Sequence, residues 1–339
     1  MDSLTQIALG SCVAAACVPA PQRRQAALLG AVLGTLPDLD VLLDYGDPVA
    51  NFTMHRGFSH SLAVLALTGV VFWLVLKNWT PVRQAPSRWL AAILLALLTH
   101  PLLDAHTAYG TQLFWPMGWT PVSWATLFII DPLYSLPLFA GMLAVMIRPA
   151  SRAAGRWLAV GLVISSLYLG WAWTAKATVT RDAQENLEAR GIQGARLFVT
   201  PTPFNTLLWR VVARTEGGHY EGLYSVVAKE RAMDFAFHPS QDEILASAGN
   251  FPAVRRLLWF SGGFAGASIE GDRLILSDLR MGQHPNYVFR HAVARRGNPH
   301  WQEIEPERLK STISLSQLKT LWEKIRTGED GSRRGEPKE

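Results

Sequence analysis

The first 180 residues alternate apolar stretches with short polar connections. Four of the stretches predict membrane-spanning helices. Because a full crossing needs about 20 residues, the residues that flank each stretch must be included in the span. The four stretches are residues 61–76, 89–103, 132–147 and 157–175. Two shorter stretches, residues 7–18 and 26–36, predict helices that pack against these spans. Buried core helices of a soluble protein would show the same pattern, but four such stretches within one half of the chain favour membrane insertion.

From residue 179 the pattern changes to short runs typical of β-strands. A polar helix over residues 181–190 ends at Gly191, and the predicted strands are residues 196–200, 207–214, 220–227, 273–277 and 287–294. Residues 314–325 predict an amphipathic helix, and the charged tail 327–339 predicts disorder. The predicted fold is a membrane α-helical bundle over residues 1–178, with about four spans and two short helices, followed by a β-rich soluble domain over residues 179–326.

Charge is distributed unevenly between the two halves. Residues 1–180 contain seven Asp, no Glu and ten Lys or Arg, whereas residues 181–339 contain 20 Asp or Glu and 22 Lys or Arg. The net charge of +5 is therefore spread over membrane-flanking loops and a mixed-charge domain, which argues against a nucleic-acid partner. Cys12 and Cys17 would lie on different faces of one helix, so we expect no disulfide between them.

The charged residues of the first half also predict an orientation. Basic residues occur in alternate connections, at positions 23–24, 77–88 and 148–156, and basic connections tend to stay in the cytoplasm. The other connections carry every Asp of this half and its histidines, so these residues and the C-terminal domain are expected on the extracytoplasmic side. Arg56 is the one exception.

Four short polar motifs lie in or beside the apolar segments and together predict a metal site at one membrane face. They are Pro37-Asp38-Leu39-Asp40, His55-Arg56-Gly57-Phe58-Ser59-His60-Ser61, His100-Pro101-Leu102-Leu103-Asp104 and Asp131-Pro132. His100 and Asp104 are four residues apart and would share one helix face. Ionisable groups within a span are costly unless they are used.

The other motifs add donors of the same kinds. His55 and His60 need a turn between them, which Gly57 permits. We interpret Asp38 and Asp40 as two carboxylates on the same side of an extended segment, suited to Mg²⁺, Mn²⁺ or Zn²⁺.

Each motif also has a simpler explanation. Helix capping or a local turn would account for Asp40 and Asp131, and a hydrogen bond on the helix surface would account for His100 and Asp104. Ser59 and Ser61 lack the surroundings of a nucleophile elbow. Residues 114–124 are typical of an interfacial aromatic belt and would also suit a lipid chain. The histidines of the polar half have no ligand spacing and are interpreted as surface or structural residues: His219, His238, His284, His291 and His300.

The motifs together resemble those of the YdjM/YbcI-like family of bacterial inner-membrane proteins. The resemblance rests on Asp2-Ser3-Leu4-Thr5-Gln6, on residues 34–40, on the motifs at 55–61 and 99–104, and on Tyr109-Gly110-Thr111-Gln112. It covers the membrane half densely and is expected to continue through Asp131-Pro132-Leu133-Tyr134 and Thr200-Pro201-Thr202-Pro203 into the second half. It implies a metal-dependent hydrolase of the inner membrane, distantly similar to zinc-dependent phospholipase C and P1-type nucleases.

The resemblance also implies a set of site residues. Its metal ligands correspond here to Asp38, Asp40, His55, His60, His100 and Asp104. Zinc is the expected ion, with manganese or magnesium as alternatives. Some shorter members have a histidine where this chain has Gln6, and a glutamine oxygen is a poorer zinc ligand, which argues against a full three-metal cluster.

The predicted reaction is hydrolysis of a lipid or envelope phosphoester by a metal-activated water. Arg56 would neutralise charge on the phosphoryl oxygens, and Asp40 or Asp131 would orient the water. A membrane lipid or lipid-linked molecule is the expected partner. Two alternatives remain open: a transporter or ion pathway, since intramembrane Asp and His also mark proton relays, and a non-catalytic scaffold with a structural metal.

Overall fold

The chain folds into two compact units. The computed structural model describes residues 1–228, 233–311 and 321–327. One unit consists of Met1–Tyr45 and Met54–Trp171, and the other of Gly46–Thr53 together with the chain from Ala172 onward. The boundary between Trp171 and Ala172 falls inside a continuous helix. The segment Gly46–Thr53 belongs to the second unit although it lies within the sequence of the first.

The N-terminal half is helical, as predicted. Its α-helices are α1 Ser3–Cys17, α2 Arg23–Thr35, α3 Pro48–Met54, α4 Leu62–Leu76, α5 Thr80–Gln84, α6 Pro86–Ala105, α7 Pro132–Ile147 and α8 Arg152–Ala189. Three 3₁₀ turns lie between them, at Ala20–Gln22, Pro37–Leu42 and Phe58–His60. Two of these turns carry candidate ligands.

Within the part of the chain that the structure describes, three helical segments are long and apolar enough to cross a membrane: Ala20–Leu42, Pro86–Ala105 and Arg152–Ala189. A fourth is a broken span, Pro48–His60 with Leu62–Leu76, bent by 50°. The predicted short helix at 26–36 is thus part of a 23-residue span. The predicted span at 132–147 is α7, whose 16 residues fall short of the ~20 needed for a crossing.

α1 and α2 pack backbone to backbone through glycines. A Cβ atom at Gly10 would lie 2.3 Å from the carbonyl oxygen of Gly30, so only glycine allows this approach. α6 covers the pair, burying Trp89, Ile93 and Leu97 in the core of the first unit. The close packing brings the C-terminal ends of α2 and α6 to the same region.

The second unit is β-rich, as predicted. Its sheets are antiparallel, with strand orders β1-β2-β3-β4 and β10-β9-β6-β5, and β7 and β8 form a hairpin. The strands are β1 Arg196–Pro201, β2 Leu208–Thr215, β3 Gly218–Ser225, β4 Ala236–Pro239, β5 Ala265–Glu270, β6 Arg273–Asp278, β7 Gly282–Gln283, β8 Asn286–Tyr287, β9 Arg290–Arg296 and β10 Trp301–Arg308. The C-terminal part of α8 packs Val179 and Leu187 against Trp209 of the first sheet.

Several elements of this unit differ from the prediction. α8 is one helix of 38 residues, about 57 Å long, and it merges the predicted span at 157–175 with the predicted polar helix at 181–190. The helices α9 Asp242–Ser247 and α10 Pro252–Phe260 lie in a region for which the pattern predicted no element. Leu321–Thr327 is a further helix, α11. The remainder of the predicted helix at 314–325 and the tail from residue 328 lie outside the described residues.

Candidate metal centre

Two of the predicted ligands lie on α6, one turn apart. His100 and Asp104 are fully buried. They share a helix face as predicted, because His100 Nε2 lies 3.6 Å from Asp104 Oδ2. A buried carboxylate in a membrane helix needs a cationic partner.

The other two ligands come from 3₁₀ turns. Asp38 lies in the turn that follows α2, and His60 ends the turn that precedes α4. The interpretation of residues 37–40 as an extended segment is wrong. A 3₁₀ turn has three residues per turn, so Asp38 and Asp40 point about 120° apart and serve different neighbours.

Asp38, His60, His100 and Asp104 each offer one donor atom to a common point, and these atoms lie within 4.8 Å of one another. His60 Nε2 lies 3.5 Å from Asp38 Oδ1 and 3.2 Å from Asp104 Oδ2. His100 Nε2 lies 3.4 Å from Asp38 Oδ1 and 3.2 Å from His60 Nε2. Tetrahedral zinc with bonds of 2.0–2.1 Å would set its ligand atoms about 3.3–3.4 Å apart. Five of the six separations are close to this value and all lie within 4.8 Å, so the four atoms could surround one ion in a distorted tetrahedron.

The imidazoles are held with their Nε2 atoms toward this point. His100 Nδ1 lies 2.6 Å from the Gly34 carbonyl oxygen, which can only accept, so Nδ1 carries the proton. His60 Nδ1 lies 2.9 Å from Ser59 Oγ, and that hydroxyl donates to Asp40 Oδ2 at 2.5 Å. In both rings the Nε2 lone pair is left for a metal, and metal-binding histidines are usually oriented in this way.

Asp104 is surrounded by positive and donor groups. Its Oδ1 atom accepts from the amino group of Met1 and, at 3.0 Å, from Gln6 Nε2. Its Oδ2 atom is buried without a hydrogen-bond partner and lies 3.1 Å from Arg56 Nε in an ion pair. This oxygen also faces both histidines, so an ion bound by them would contact it as well.

Asp40 and His55 lie outside the group of four. Asp40 Oδ1 is 2.7 Å from His55 Nδ1, and Oδ2 accepts the backbone N–H of Arg56 at 2.9 Å as well as the Ser59 hydroxyl. Asp40 therefore orients the imidazole of His55 and, through Ser59, that of His60. The His55 side chain is 23% exposed, and its ring centre lies 6.1 Å from that of His60.

The two remaining predicted site residues have different surroundings. Arg56 is buried with a backbone φ of 61°, donates from Nη1 to Thr107 Oγ1 at 3.1 Å, and lies over the Tyr109 ring. Asp131 is outside the cluster. It caps α7 by accepting from the Leu133 and Tyr134 N–H groups, as the capping alternative proposed, and it accepts from the Tyr168 hydroxyl at 3.0 Å.

Sequence reasoning missed several groups that hold the ligands. The Gly34 carbonyl oxygen carries no side-chain signal, although the tight approach of α1 and α2 could be suspected from their glycines. Thr107 and Tyr109 contact Arg56 from the loop after α6. Gln6 was considered as a ligand; its amide instead donates to Asp104 and to the His100 carbonyl oxygen.

The sequence profile of the YdjM inner membrane protein family matches residues 1–179. The Escherichia coli inner membrane protein YbcI is 33% identical over 92 residues, which are 27% of this chain and 52% of YbcI. The Escherichia coli inner membrane protein YdjM is 38% identical over 73 residues, 21% of this chain and 35% of YdjM.

A third relative comes from a Gram-positive bacterium. The uncharacterized protein YfhP of Bacillus subtilis is 26% identical over 151 residues, 44% of this chain and 45% of YfhP. The chain thus matches about half the length of these relatives or less. No solved structure matches it.

Proposed function

Because the chain belongs to the YdjM inner membrane protein family and converges four metal-binding side chains on one point, we propose that it is a membrane-bound, metal-dependent hydrolase. The proposed substrate is a lipid or envelope phosphoester. The observation that carries the proposal is the set of four donor atoms, of which Asp104 Oδ2 is buried without a hydrogen-bond partner.

Zinc is the proposed ion. Two imidazoles and two carboxylates form a borderline donor set, which suits zinc better than Mg²⁺, an ion that takes oxygen ligands. When bound, such an ion would act as a Lewis acid on a phosphoryl oxygen and would lower the pKa of a water that joins the four protein ligands as a fifth one to about 7. The residues around the four ligands then provide proton transfer and charge compensation.

His55 is the proposed proton acceptor. Asp40 takes the hydrogen bond of His55 Nδ1–H, so Nε2 keeps its lone pair. Since the side chain is partly exposed, Nε2 can take a proton from the attacking water and return it to the leaving oxygen. Asp40 thus acts through His55 rather than on water directly, which refines the role predicted for it.

Arg56 is proposed to balance charge. Its guanidinium is buried against Asp104 Oδ2, where it is held by Thr107 and lies over the Tyr109 ring. A fixed cation in a low-dielectric site stabilises charge that develops on phosphoryl oxygens without having to move.

A lipid substrate is supported by the loop beside the motif. Backbone hydrogen bonds hold this loop against the motif at residues 55–61 and the start of α4. Gln112 N–H donates to the Arg56 carbonyl oxygen, and Leu62 N–H donates to the Leu113 carbonyl oxygen. The same loop exposes Met117 and Trp119. A shallow surface depression lies among Gln112, Leu113, Phe114, Trp115, Gly118, Trp119, Thr120 and Val122. An acyl or isoprenoid chain would suit this surface, with its phosphate directed to the metal centre.

The proposed location follows from the charge distribution. The metal centre and the β-rich domain are placed on the periplasmic side of the inner membrane, opposite the basic connections. Labelling of single cysteines introduced at positions 118 and 250 in intact cells tests this. Both should react with a membrane-impermeant maleimide. If both were protected until the cells were lysed, the orientation would be the opposite one.

A structural metal is the second candidate function. Four protein ligands fill a tetrahedral zinc site, whereas catalytic zinc usually keeps one position for water or substrate. Three of the four ligands are fully buried, and only Asp38 is partly exposed, at 20%. Under this alternative the ion would stabilise the helical unit and no substrate would reach it.

The deciding experiment uses the full chain purified in detergent. Bound metal is measured by elemental spectrometry, and hydrolysis is measured on phospholipids, polyprenyl pyrophosphates and soluble nitrophenyl phosphates with and without chelator. The hydrolase proposal expects about one zinc per chain that depends on His100 and Asp104, and phosphate release that chelation abolishes. Bound zinc whose removal lowers only the melting temperature, with no hydrolysis of any of these substrates, would favour the structural role.

A further inference from the structure

The β-rich unit brings together three histidines that are far apart in the sequence. His219 on β3 and His238 on β4 are direct cross-strand partners, and their ring centres lie 5.3 Å apart. His284, in the turn of the β7–β8 hairpin, stacks on His238 with ring centres 3.9 Å apart and planes inclined by 15°. The linear sequence gave no indication of this histidine cluster.

One nitrogen of the cluster is unsatisfied. His219 is only 3% exposed, and its Nδ1 atom is buried without a hydrogen-bond partner. The other nitrogen, Nε2, lies 2.7 Å from the Tyr287 hydroxyl. That hydroxyl donates to Glu221 Oε1 at 2.6 Å, so it must accept from His219, and Nε2 carries the proton. Nδ1 therefore keeps a lone pair that no described group uses.

The surroundings of His219 resemble those of a metal-binding imidazole. Such imidazoles usually donate their second N–H to a carboxylate or to a group that a carboxylate fixes. Here Tyr287 and Glu221 provide that chain, and Arg210 anchors Glu221 through a buried ion pair. Glu221 Oε2 also accepts the backbone N–H of His284 at 3.2 Å, which fixes the position of the third histidine.

From these contacts we infer that the β-rich unit carries a second metal site, at which His219, His238 and His284 bind a divalent transition-metal ion such as Zn²⁺ or Cu²⁺. Imidazole is a preferred ligand of both ions. His219 would provide the buried donor, and the more accessible His238 and His284 would bind the ion from the solvent side. This site is separate from the metal centre of the helical unit and does not depend on the hydrolase proposal.

Binding requires a side-chain movement. The rings of His238 and His284 lie in nearly parallel planes, so their in-plane lone pairs do not meet at one ion as they stand. His284 is exposed, and rotation of its ring about the side-chain bonds removes the stack. An ion would thus exchange a stacking contact of two neutral rings for two metal–nitrogen bonds.

The test uses the full chain in detergent, stripped of metal and then dialysed against Zn²⁺ with a weak chelator. Wild type should retain one more zinc per chain than the double variant His238→Ala/His284→Ala, whose substituted residues are accessible and not part of the core. His300→Ala, which removes an exposed histidine outside the cluster, is the matched control and should retain the wild-type amount.

Two further measurements identify the ligands and the role of the tyrosine. Bound Cu²⁺ should show coupling to imidazole nitrogens in its electron paramagnetic resonance spectrum, and this signal should be lost in the double variant. Tyr287→Phe removes the group that fixes the His219 tautomer and should weaken binding about 10–100-fold without removing a ligand.

The results separate this site from the first one. Asp104→Asn should lose the ion of the helical unit and keep the zinc that depends on His238 and His284. Equal zinc content in wild type and the double variant, with unchanged copper spectra, would overturn the inference and leave the cluster as a stack of neutral histidines.

Discussion

His100 Nδ1 donates a hydrogen bond of 2.6 Å to the carbonyl oxygen of Gly34, and this contact connects the packing of the helices to the chemistry of the site. Gly34 is near the end of α2, where that helix passes against α1. A Cβ atom at this position would lie 2.6 Å from the carbonyl oxygen of Gln6. The glycine is therefore needed to bring the carbonyl oxygen within reach of His100.

Gly34→Ala should weaken metal binding even though it alters no ligand. The added methyl group must push α1 and α2 apart, which shifts the acceptor of His100 and should reduce metal affinity about 10–100-fold. Overpacking should also cost about 1–3 kcal/mol of stability. Zinc affinity is measured by competition with a chelator, and the melting temperature is followed in parallel.

Gly170→Ala is the control for this substitution. An added Cβ at Gly170 on α8 meets no atom within 4 Å. Alanine is also the better helix former, so this variant should be neutral or stabilised by up to about 1 kcal/mol. Wild-type zinc affinity in Gly34→Ala would show that the carbonyl contact does not orient His100.

Asp104→Asn should lose the bound ion, whereas Asp131→Asn should keep it. Both aspartates are fully buried in the helical unit, but only Asp104 directs a free carboxylate oxygen at the histidines. Asparagine can still cap α7 at position 131. Metal content is measured on both purified variants. If Asp131→Asn lost metal as completely as Asp104→Asn, the assignment of the ion to Asp38, His60, His100 and Asp104 alone would be wrong.

The sequence predicted the parts of the site that depend on local periodicity. Asp104 follows His100 by four positions on an α-helix, and that spacing alone determines a shared face. The distinction between Asp38 and Asp40 was not predictable in this way, because it depends on a 3₁₀ turn that the apolar pattern does not reveal. Their side chains point to different neighbours for that reason.

The fold shows the same division between local and long-range information. The five predicted β-type runs overlap strands β1, β2, β3, β6 and β9, with ends that differ by up to three residues, and the spans were visible as apolar stretches. The cross-strand pairing of His219 with His238 requires the register of β3 and β4, which tertiary contacts determine. Likewise, nothing local indicated that Phe52 would stack on Phe289, a residue more than 200 positions later.

Replacing Met117 and Trp119 by Ser should separate lipid binding from chemistry. Both side chains are exposed on the loop beside the metal-site motif. Their removal should raise the KM for a phospholipid or polyprenyl substrate and leave turnover of a soluble nitrophenyl phosphate unchanged. Parallel losses on both kinds of substrate would indicate that the loop supports the metal site itself rather than a lipid chain.

His291 should make the β-rich unit lose stability in acid. Burial lowers its pKa to about 4, and the nearby Arg308 adds to the effect. Since the folded pKa lies below the unfolded value of about 6.5, the unfolded chain binds the proton more readily. Stability is therefore complete above pH 6.5 and falls by about 1.4 kcal/mol per pH unit as pH drops toward 4.

His291→Gln tests this assignment because glutamine keeps a polar side chain without titrating in this range. Thermal unfolding of the full chain is compared between pH 7 and pH 4.5 for both proteins, with His300→Ala as an exposed control. The variant should lose less stability on acidification than wild type. Identical slopes in all three proteins would assign the acid sensitivity to other groups.

Arg56→Ala should retain the metal and lose turnover. Arg56 Nε lies 3.1 Å from Asp104 Oδ2, the oxygen that faces the histidines, so it competes with the ion for that carboxylate and does not provide a ligand. Its removal leaves all four ligands in place. Loss of a fixed donor to the developing charge typically lowers kcat about 10²–10³-fold.

Arg56→Lys should restore part of the activity, because the charge returns without the planar fork. Zinc content, kcat and KM are measured for all three proteins. A loss of zinc in Arg56→Ala that Arg56→Lys reverses would instead show that the guanidinium holds Asp104 in position for the ion.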